Sequence, residues 1–161
     1  MAPNSPVVAL LSIKPIYANA ILDGRKKVEF RKRPFKRPVS HVVIYATTPV
    51  QRIVGWFQTK RLDQMSPSAL WKRFAPVGAI SKEAFNTYYD GSESGVAIHV
   101  DKPRRLATPI AIGRIKVGTA PQSYAYLSAT VLSLLAGNRK TPPPKRLAVK
   151  KKAGRRSTLK S

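Results

Sequence analysis

The C-terminal segment of this 161-residue chain most constrains what the chain can fold into. Residues 139–161 carry ten lysines and arginines and no acidic residue, with three consecutive prolines at 142–144 and almost no large apolar side chain. A segment of this composition cannot bury enough apolar surface to offset the entropy lost on ordering. We therefore predict one folded domain over residues 7–137, between a flexible N-terminus at 1–6 and a disordered Lys/Arg/Pro-rich tail at 138–161.

The rest of the composition excludes several classes of protein. Hydrophobic residues make up 43% of the chain, which is enough for a core. The chain has no cysteine, two histidines and seven scattered acidic residues, so we expect no disulfide, no metal site and no cofactor. It also lacks an apolar run long enough to span a membrane and a positively charged secretory leader. We expect a cytoplasmic protein, with nucleoid or nuclear association left open.

The formal net charge of +23 indicates a polyanionic partner. Besides the tail, basic residues concentrate between Arg25 and Arg37, where eight of thirteen residues are basic and Glu29 is the only acid. Phenylalanines interleave with these charges, which is typical of a folded nucleic-acid surface. The alternative is a solvated face that keeps the protein soluble. The predicted nucleic-acid contacts are Arg25, Lys27, Lys32 and Arg33 in the domain and Lys150, Lys151 and Lys152 in the tail.

Hydrophobic periodicity predicts a mixture of strands and helices. The predicted strands are Val7–Ile13, Lys27–Arg31, Val42–Tyr45, Arg52–Gln58, Gly95–Val100 and Pro109–Val117. The predicted helices follow Pro15, Ser66-Pro67 and Ser81. Periodicity is ambiguous over Tyr124–Leu135, and the length of that segment favours a last helix. The resulting order, β-α-β-β-β-α-α-β-β-α, favours an α+β, barrel-like fold over a doubly wound one.

One short motif combines residues with suggestive chemistry: Gly24-x-Lys26-x-x-Glu29-x-Arg31. Glycine allows the chain to turn after the first helix, and strand periodicity places Glu29 and Arg31 on one face. A lysine beside a carboxylate and a guanidinium can bind phosphate, contact a base edge, or act as a base if burial lowers the lysine pKa. The alternative is an exposed Glu–Arg pair worth less than about 1 kcal/mol, and spacing alone favours it.

Several ordered blocks carry a family resemblance. The motif follows Leu11–Tyr17 closely, and further blocks are Ile44–Pro49, Ile53–Gly55 and Pro121–Leu127. Over about Val7–Leu127 the sequence resembles the ASCH family. The resemblance implies a PUA-like fold, a small mixed β-barrel with flanking short helices, and a cleft where the motif residues gather.

The resemblance also implies a partner, because PUA-like relatives bind RNA or modified bases. We expect a nucleic-acid-binding module acting in RNA metabolism or transcription coregulation, with RNA favoured over DNA. The expected ligand-binding residues are Lys26, Glu29, Arg31, Lys14, Tyr17, Gln122 and Tyr124. Trp56 is a further candidate for stacking on a base, although a tryptophan in a strand more often belongs to the core.

The alternative is an enzyme. Some ASCH-like proteins hydrolyse N4-acetylcytidine with the lysine and threonine of a G-x-K-x-x-T motif and a distant glutamate, and ribonuclease activity has also been proposed in the family. Here Lys26 matches the lysine, Glu29 occupies the threonine position, and neither Glu83 nor Glu93 is assigned as the distant glutamate. Binding is therefore favoured over catalysis, with Lys26 and Glu29 as the candidates if the protein is an enzyme. A protein-interaction module in transcription is a third possibility.

Overall fold

The computed structural model describes residues 5–138, which form six strands and four helices. The strands are β1 (Val8–Ile13), β2 (Val28–Arg31), β3 (His41–Ala46), β4 (Arg52–Met65), β5 (Gly95–Ile110) and β6 (Tyr124–Leu127). The helices are α1 (Pro15–Leu22), α2 (Pro67–Gly78), α3 (Lys82–Tyr89) and α4 (Val131–Ala136), and a 3-10 helix covers Ile112–Ile115. Apart from residues 5–6 and 138, the predicted flexible N-terminus and basic tail lie outside the described residues.

All six strands belong to one sheet, in the order β2-β5-β4-β3-β1-β6. β1 and β3 are parallel, and the other neighbouring strands are antiparallel. The predicted α+β class is therefore confirmed. Because β2 and β6 end the sheet without pairing with each other, the sheet is not closed and the predicted barrel is not confirmed.

The sheet carries a hydrophobic cluster on each face. Along β1, Ala9 and Leu11 belong to one cluster, whereas Val8 and Leu10 belong to the other, as the alternation of strand side chains requires. Helix α1 packs on the first face and α4 on the second. A third cluster joins β2 and β5 to α2 and α3. The apolar run predicted as a buried strand is thus the centre of the core.

The chain differs from the prediction in two places after residue 100. β5 continues to Ile110, and the rest of the predicted strand Pro109–Val117 is the short 3-10 helix and its flanking turns. The predicted helix Tyr124–Leu135 is β6 followed by α4. Its first four residues pair with Val8–Leu11 of β1, so a long-range strand pairing decides the structure where periodicity was ambiguous and length favoured a helix.

Among residues 5–138, none of the helices is long and apolar enough to cross a membrane.

Candidate functional site

A tight turn after α1 directs Lys26 into the protein. Gly24 adopts φ +84°, a left-handed conformation that glycine accommodates without a Cβ penalty. The backbone N–H groups of Arg25 and Lys26 then both donate to the carbonyl of Ala20, at 2.9 and 3.0 Å. The chain reverses at the end of the helix, and the side chain of Lys26 points inward instead of into solvent.

Lys26 is buried, with 2% of its surface exposed. Its Nζ donates to the carbonyl of Gly78, the last residue of α2, at 2.5 Å. Helix α2 has no basic residue in its own last turn, so Lys26 supplies the positive charge that a helix C-terminus favours. The rings of Tyr17 and Phe30 lie 4.9 and 5.2 Å from the ammonium group, measured to their centroids.

Glu29 lies between two cations. Its Oε1 is 3.9 Å from Lys26 Nζ, and its Oε2 accepts from the guanidinium of Arg31 at 3.1 Å. Glu29 is only 5% exposed, so the exposed Glu–Arg pair that spacing alone favours is wrong at this residue. Instead of solvent, this face of β2 meets a cavity walled by α1 and α3. The motif is therefore a buried ion cluster and not an exposed surface pair.

Arg31 connects the two ends of the open sheet. Besides Glu29, its guanidinium donates to the carbonyl of Ser12 at 3.3 Å and to that of Ser123 at 3.4 Å. Ser12 belongs to β1, and Ser123 directly precedes β6. Arg31 itself belongs to β2, at the opposite end of the strand order. A side chain thus spans the gap that strand pairing leaves in the sheet.

The cluster of Lys26, Glu29 and Arg31 carries two positive charges and one negative charge. Burial lowers the pKa of Lys26, and the neighbouring carboxylate of Glu29 partly opposes that shift. Burial also raises the pKa of Tyr17, and the charge of Glu29 raises it further. The cluster therefore has one more positive charge than negative charge, and it lies in a poorly solvated region.

These charges lie against a cavity of about 660 Å³, within the range of small-molecule sites. Six of the predicted ligand-binding residues line it, namely Lys14, Tyr17, Lys26, Glu29, Arg31 and Gln122. Tyr124 does not line the cavity and instead accepts a hydrogen bond from the backbone N–H of Lys36.

Sequence reasoning did not assign the opposite wall. That wall comprises Ser81, Glu83, Ala84, Thr87 and Tyr88 around α3, and Thr47 adds a hydroxyl from the end of β3. Two features of the sequence could have identified residues of this wall. Thr47 lies in a block that carries the family resemblance, and Tyr88 is a partly exposed aromatic residue of the helix predicted after Ser81.

The other predicted residues lie outside the cavity lining. Arg25, Lys27, Lys32 and Arg33 are exposed, and Lys150, Lys151 and Lys152 lie outside the described residues. Trp56 packs against the hydrophobic cluster on the α4 face of the sheet, which agrees with the core alternative. Within residues 5–138, no three histidine or acidic side chains group closely enough to hold a metal ion.

Replacing Glu29 by alanine should leave the buried Lys26 and the partly buried Arg31 without their shared carboxylate. We expect the free energy of unfolding to fall by about 3 kcal/mol, the usual effect of removing one partner of a buried ion pair. Urea denaturation of wild type and Glu29→Ala measures this change. Glu83→Ala, at an exposed glutamate on the same cavity, is the control and should change stability by less than about 0.5 kcal/mol. Equal losses in both variants would contradict the buried cluster.

Comparison with known proteins agrees with this architecture. The ASCH domain profile matches residues 11–104. An "ASCH domain-containing ribonuclease" of Zymomonas mobilis is 31% identical over 124 residues, covering 74% of this chain and 83% of that protein. The crystal structure of an ASCH protein from Zymomonas mobilis superposes with a TM-score of 0.73 at 28% identity, covering 83% of this chain and 96% of that one.

A further relative is the large ribosomal subunit protein uL22 of Ureaplasma parvum, 25% identical over 119 residues. The match spans only 38% of that protein, so the likeness is confined to part of it. The family profile, the Zymomonas mobilis relative and the superposed structure all point to one assignment. The chain belongs to the ASCH domain family.

Proposed function

We propose that the protein binds RNA and that its cavity holds one nucleotide, with the phosphate on Arg31. The observation that carries this proposal is the net positive charge of the buried cluster of Lys26, Glu29 and Arg31 at the cavity wall. An anion in the cavity would neutralise the excess charge where solvent screens it poorly. The family relative named a ribonuclease supports RNA as the source of that anion.

Arg31 has the donors that a phosphate needs. A guanidinium offers five N–H groups, and the described residues supply three acceptors to it, from Glu29, Ser12 and Ser123. Two N–H groups remain for a ligand, and their orientation is fixed by the three protein contacts. Lys26 supports the positive potential, although its own ammonium group already donates to Gly78. The binding role therefore falls first on Arg31.

The rest of the cavity suits a base and sugar. Tyr17 and Tyr88 offer aromatic rings, and Lys14 and Gln122 are exposed polar residues of its lining. Aromatic side chains stack on unpaired bases, which is how proteins usually recognise single-stranded RNA. The basic tail, by its charge alone, adds sequence-independent affinity that decreases with salt.

Replacing Arg31 by glutamine should weaken nucleotide binding by about tenfold or more, because charge-assisted hydrogen bonds to the phosphate are lost. The variant keeps the Lys26–Glu29 pair but also loses the Arg31 contacts to Ser12 and Ser123, so circular dichroism first verifies that it is folded. Calorimetric titration with a nucleoside monophosphate, and with the same nucleoside lacking phosphate, measures the effect.

The matched control is Arg25→Gln, because Arg25 is exposed, pairs only with Asp23 among the described residues and lies outside the cavity lining. It should bind the nucleotide like wild type. If Arg31→Gln also binds like wild type, the phosphate does not lie on Arg31 and the proposed site is wrong.

Ribonuclease activity is the second candidate function, favoured by the lowered pKa of Lys26 beside a phosphate-binding arginine. In this reaction, the neutral amine of Lys26 accepts the proton of a ribose 2′-hydroxyl as that oxygen attacks the phosphorus. The bond from phosphorus to the 5′-oxygen of the next nucleotide breaks, that oxygen takes a proton from water, and a 2′,3′-cyclic phosphate remains. Arg31 stabilises the charge on the phosphoryl oxygens. Hydrolysis of N4-acetylcytidine has weaker support, because Glu29 stands in the threonine position and accepts from Arg31.

Incubation with labelled RNA, with and without a chelator, tests the ribonuclease candidate. Cleavage should rise with pH as Lys26 loses its proton below the ordinary lysine pKa of 10.5. It should disappear in Lys26→Met, whose side chain is of similar length and has no ionisable group. A chain that binds RNA and leaves it intact at every pH would exclude the enzyme and retain the binding function. Circular dichroism of Lys26→Met verifies that the variant is folded.

A further inference from the structure

A second surface outside the cavity combines aromatic rings with basic side chains. The loop between β2 and β3 lies against the edge strand β6. Tyr124 accepts from the backbone N–H of Lys36 at 3.1 Å, and Tyr126 accepts from that of Arg37 at 3.0 Å. The ring of Phe35 packs edge-on against Tyr124, with 4.9 Å between centroids. These contacts hold the loop in one position on the strand.

The same contacts stack a cation on an aromatic ring. The guanidinium carbon of Arg37 lies 4.1 Å from the centroid of the Tyr126 ring, and Arg37 is exposed. A guanidinium plane stacked on one side can receive a base on the other. Because the tyrosine hydroxyl is already bonded to the loop backbone, ring and guanidinium are oriented before any ligand arrives. This arrangement suits stacking better than a freely moving surface arginine.

The charge of this surface is uncompensated among the described residues. Lys32, Arg33, Lys36 and Arg37 are all exposed, and none of them takes part in an ion pair within residues 5–138. The loop sequence from 32 to 37 and the segment from 122 to 127 contain no acidic residue. A polyanion is therefore the complementary partner.

The surface is also continuous with the cavity. Gln122 and Arg31 line the cavity, and the Arg31 guanidinium contacts the carbonyl of Ser123, the residue directly before β6. At about 3.3 Å per residue of extended chain, Tyr126 lies at most about 13 Å from Gln122. At the cavity itself, the Nζ of Lys32 lies 5.2 Å from the ring centroid of Tyr88. Basic and aromatic groups thus lie both at the cavity and on the neighbouring strand β6.

We propose that the loop Lys32–Arg37, held on β6, is a second binding surface for single-stranded RNA. The proposal rests on the proposed function, because the strand that leaves the nucleotide in the cavity continues across this surface. Its phosphates pair with Lys36 and the other loop cations, and one of its bases stacks on Arg37 over Tyr126. Single-stranded RNA is the occupant because a base paired in a duplex does not present a free face for stacking.

Fluorescence anisotropy with a short labelled single-stranded RNA tests this proposal on the full chain. The double variant Lys36→Gln/Arg37→Gln should weaken RNA binding by about fivefold or more. It should also reduce the slope of log affinity against log salt by about 0.7, which corresponds to the one phosphate contact of Lys36. The control Lys60→Gln/Lys72→Gln removes the same charge from exposed lysines outside both surfaces and should change affinity by less than about twofold. Equal effects of the two double variants would overturn the proposal.

The variant Arg37→Lys separates stacking from charge. It keeps the positive charge and loses the guanidinium plane, so affinity should fall by about threefold or more with an unchanged salt slope. Affinity equal to wild type would overturn the stacking contact. Duplex RNA should bind more weakly than the single strand, and an acidic peptide should not displace the single strand. Equal duplex binding, or displacement by the peptide, would contradict single-stranded RNA as the occupant.

A mononucleotide distinguishes failure of this surface from failure of the cavity site. Lys36→Gln/Arg37→Gln should bind a nucleoside monophosphate like wild type, because the cavity is intact. If the mononucleotide binds at Arg31 but the loop variant leaves RNA affinity unchanged, the second surface is wrong and the proposed function stands. If no mononucleotide binds at Arg31, the proposed function is wrong, and this proposal fails with it.

Discussion

The carboxylate of Glu29 is the interaction on which the site depends. It is buried between Lys26 and Arg31, and each of those cations holds a different part of the fold. Lys26 contacts the carbonyl end of α2 through Gly78, while Arg31 reaches from β2 to the backbone before β6. Holding either cation in a poorly solvated region without a neighbouring anion would cost free energy. The same three residues therefore join the ends of an open sheet and give the cavity its positive charge.

Because these residues both hold the fold together and charge the cavity, they can contact a ligand in only a few ways. Lys26 has its ammonium group on a helix terminus, so a ligand meets it mainly as a nearby charge or, if it deprotonates, as a base. Arg31 retains N–H donors that three protein contacts already orient, which limits the entropy lost on binding a phosphate. The basic loop that follows Arg31 is held by Tyr124 and Tyr126, and it extends the positive surface beyond the cavity. The proposed nucleotide site and the proposed strand-binding surface thus share one continuous stretch of chain.

Much of this arrangement was predictable from particular residues. The period of β2 placed Glu29 and Arg31 on one face, and the family resemblance implied that Lys26 would join them in a cleft. The apolar run Val8–Ile13 is the centre of the core as expected. The burial of Glu29 was not predictable, since alternation identifies a polar face but not what covers it. The prediction of a helix over Tyr124–Leu135 was wrong for a similar reason. Pairing with β1 is a long-range contact, which the local sequence does not reveal. The role of Tyr124 in holding the loop depends on that pairing, so it could not be predicted from the sequence either.

The most direct measurement of the central claim is a crystal structure of the protein with a nucleoside monophosphate bound. We expect a phosphate oxygen within hydrogen-bond distance of the Arg31 guanidinium, with the base inside the cavity near Tyr17 or Tyr88. The contacts of Arg31 to Glu29, Ser12 and Ser123 should be retained, because the site is oriented before the ligand arrives. A nucleotide bound elsewhere, with the cavity beside Glu29 unoccupied, would contradict the claim that this ion cluster is a phosphate site.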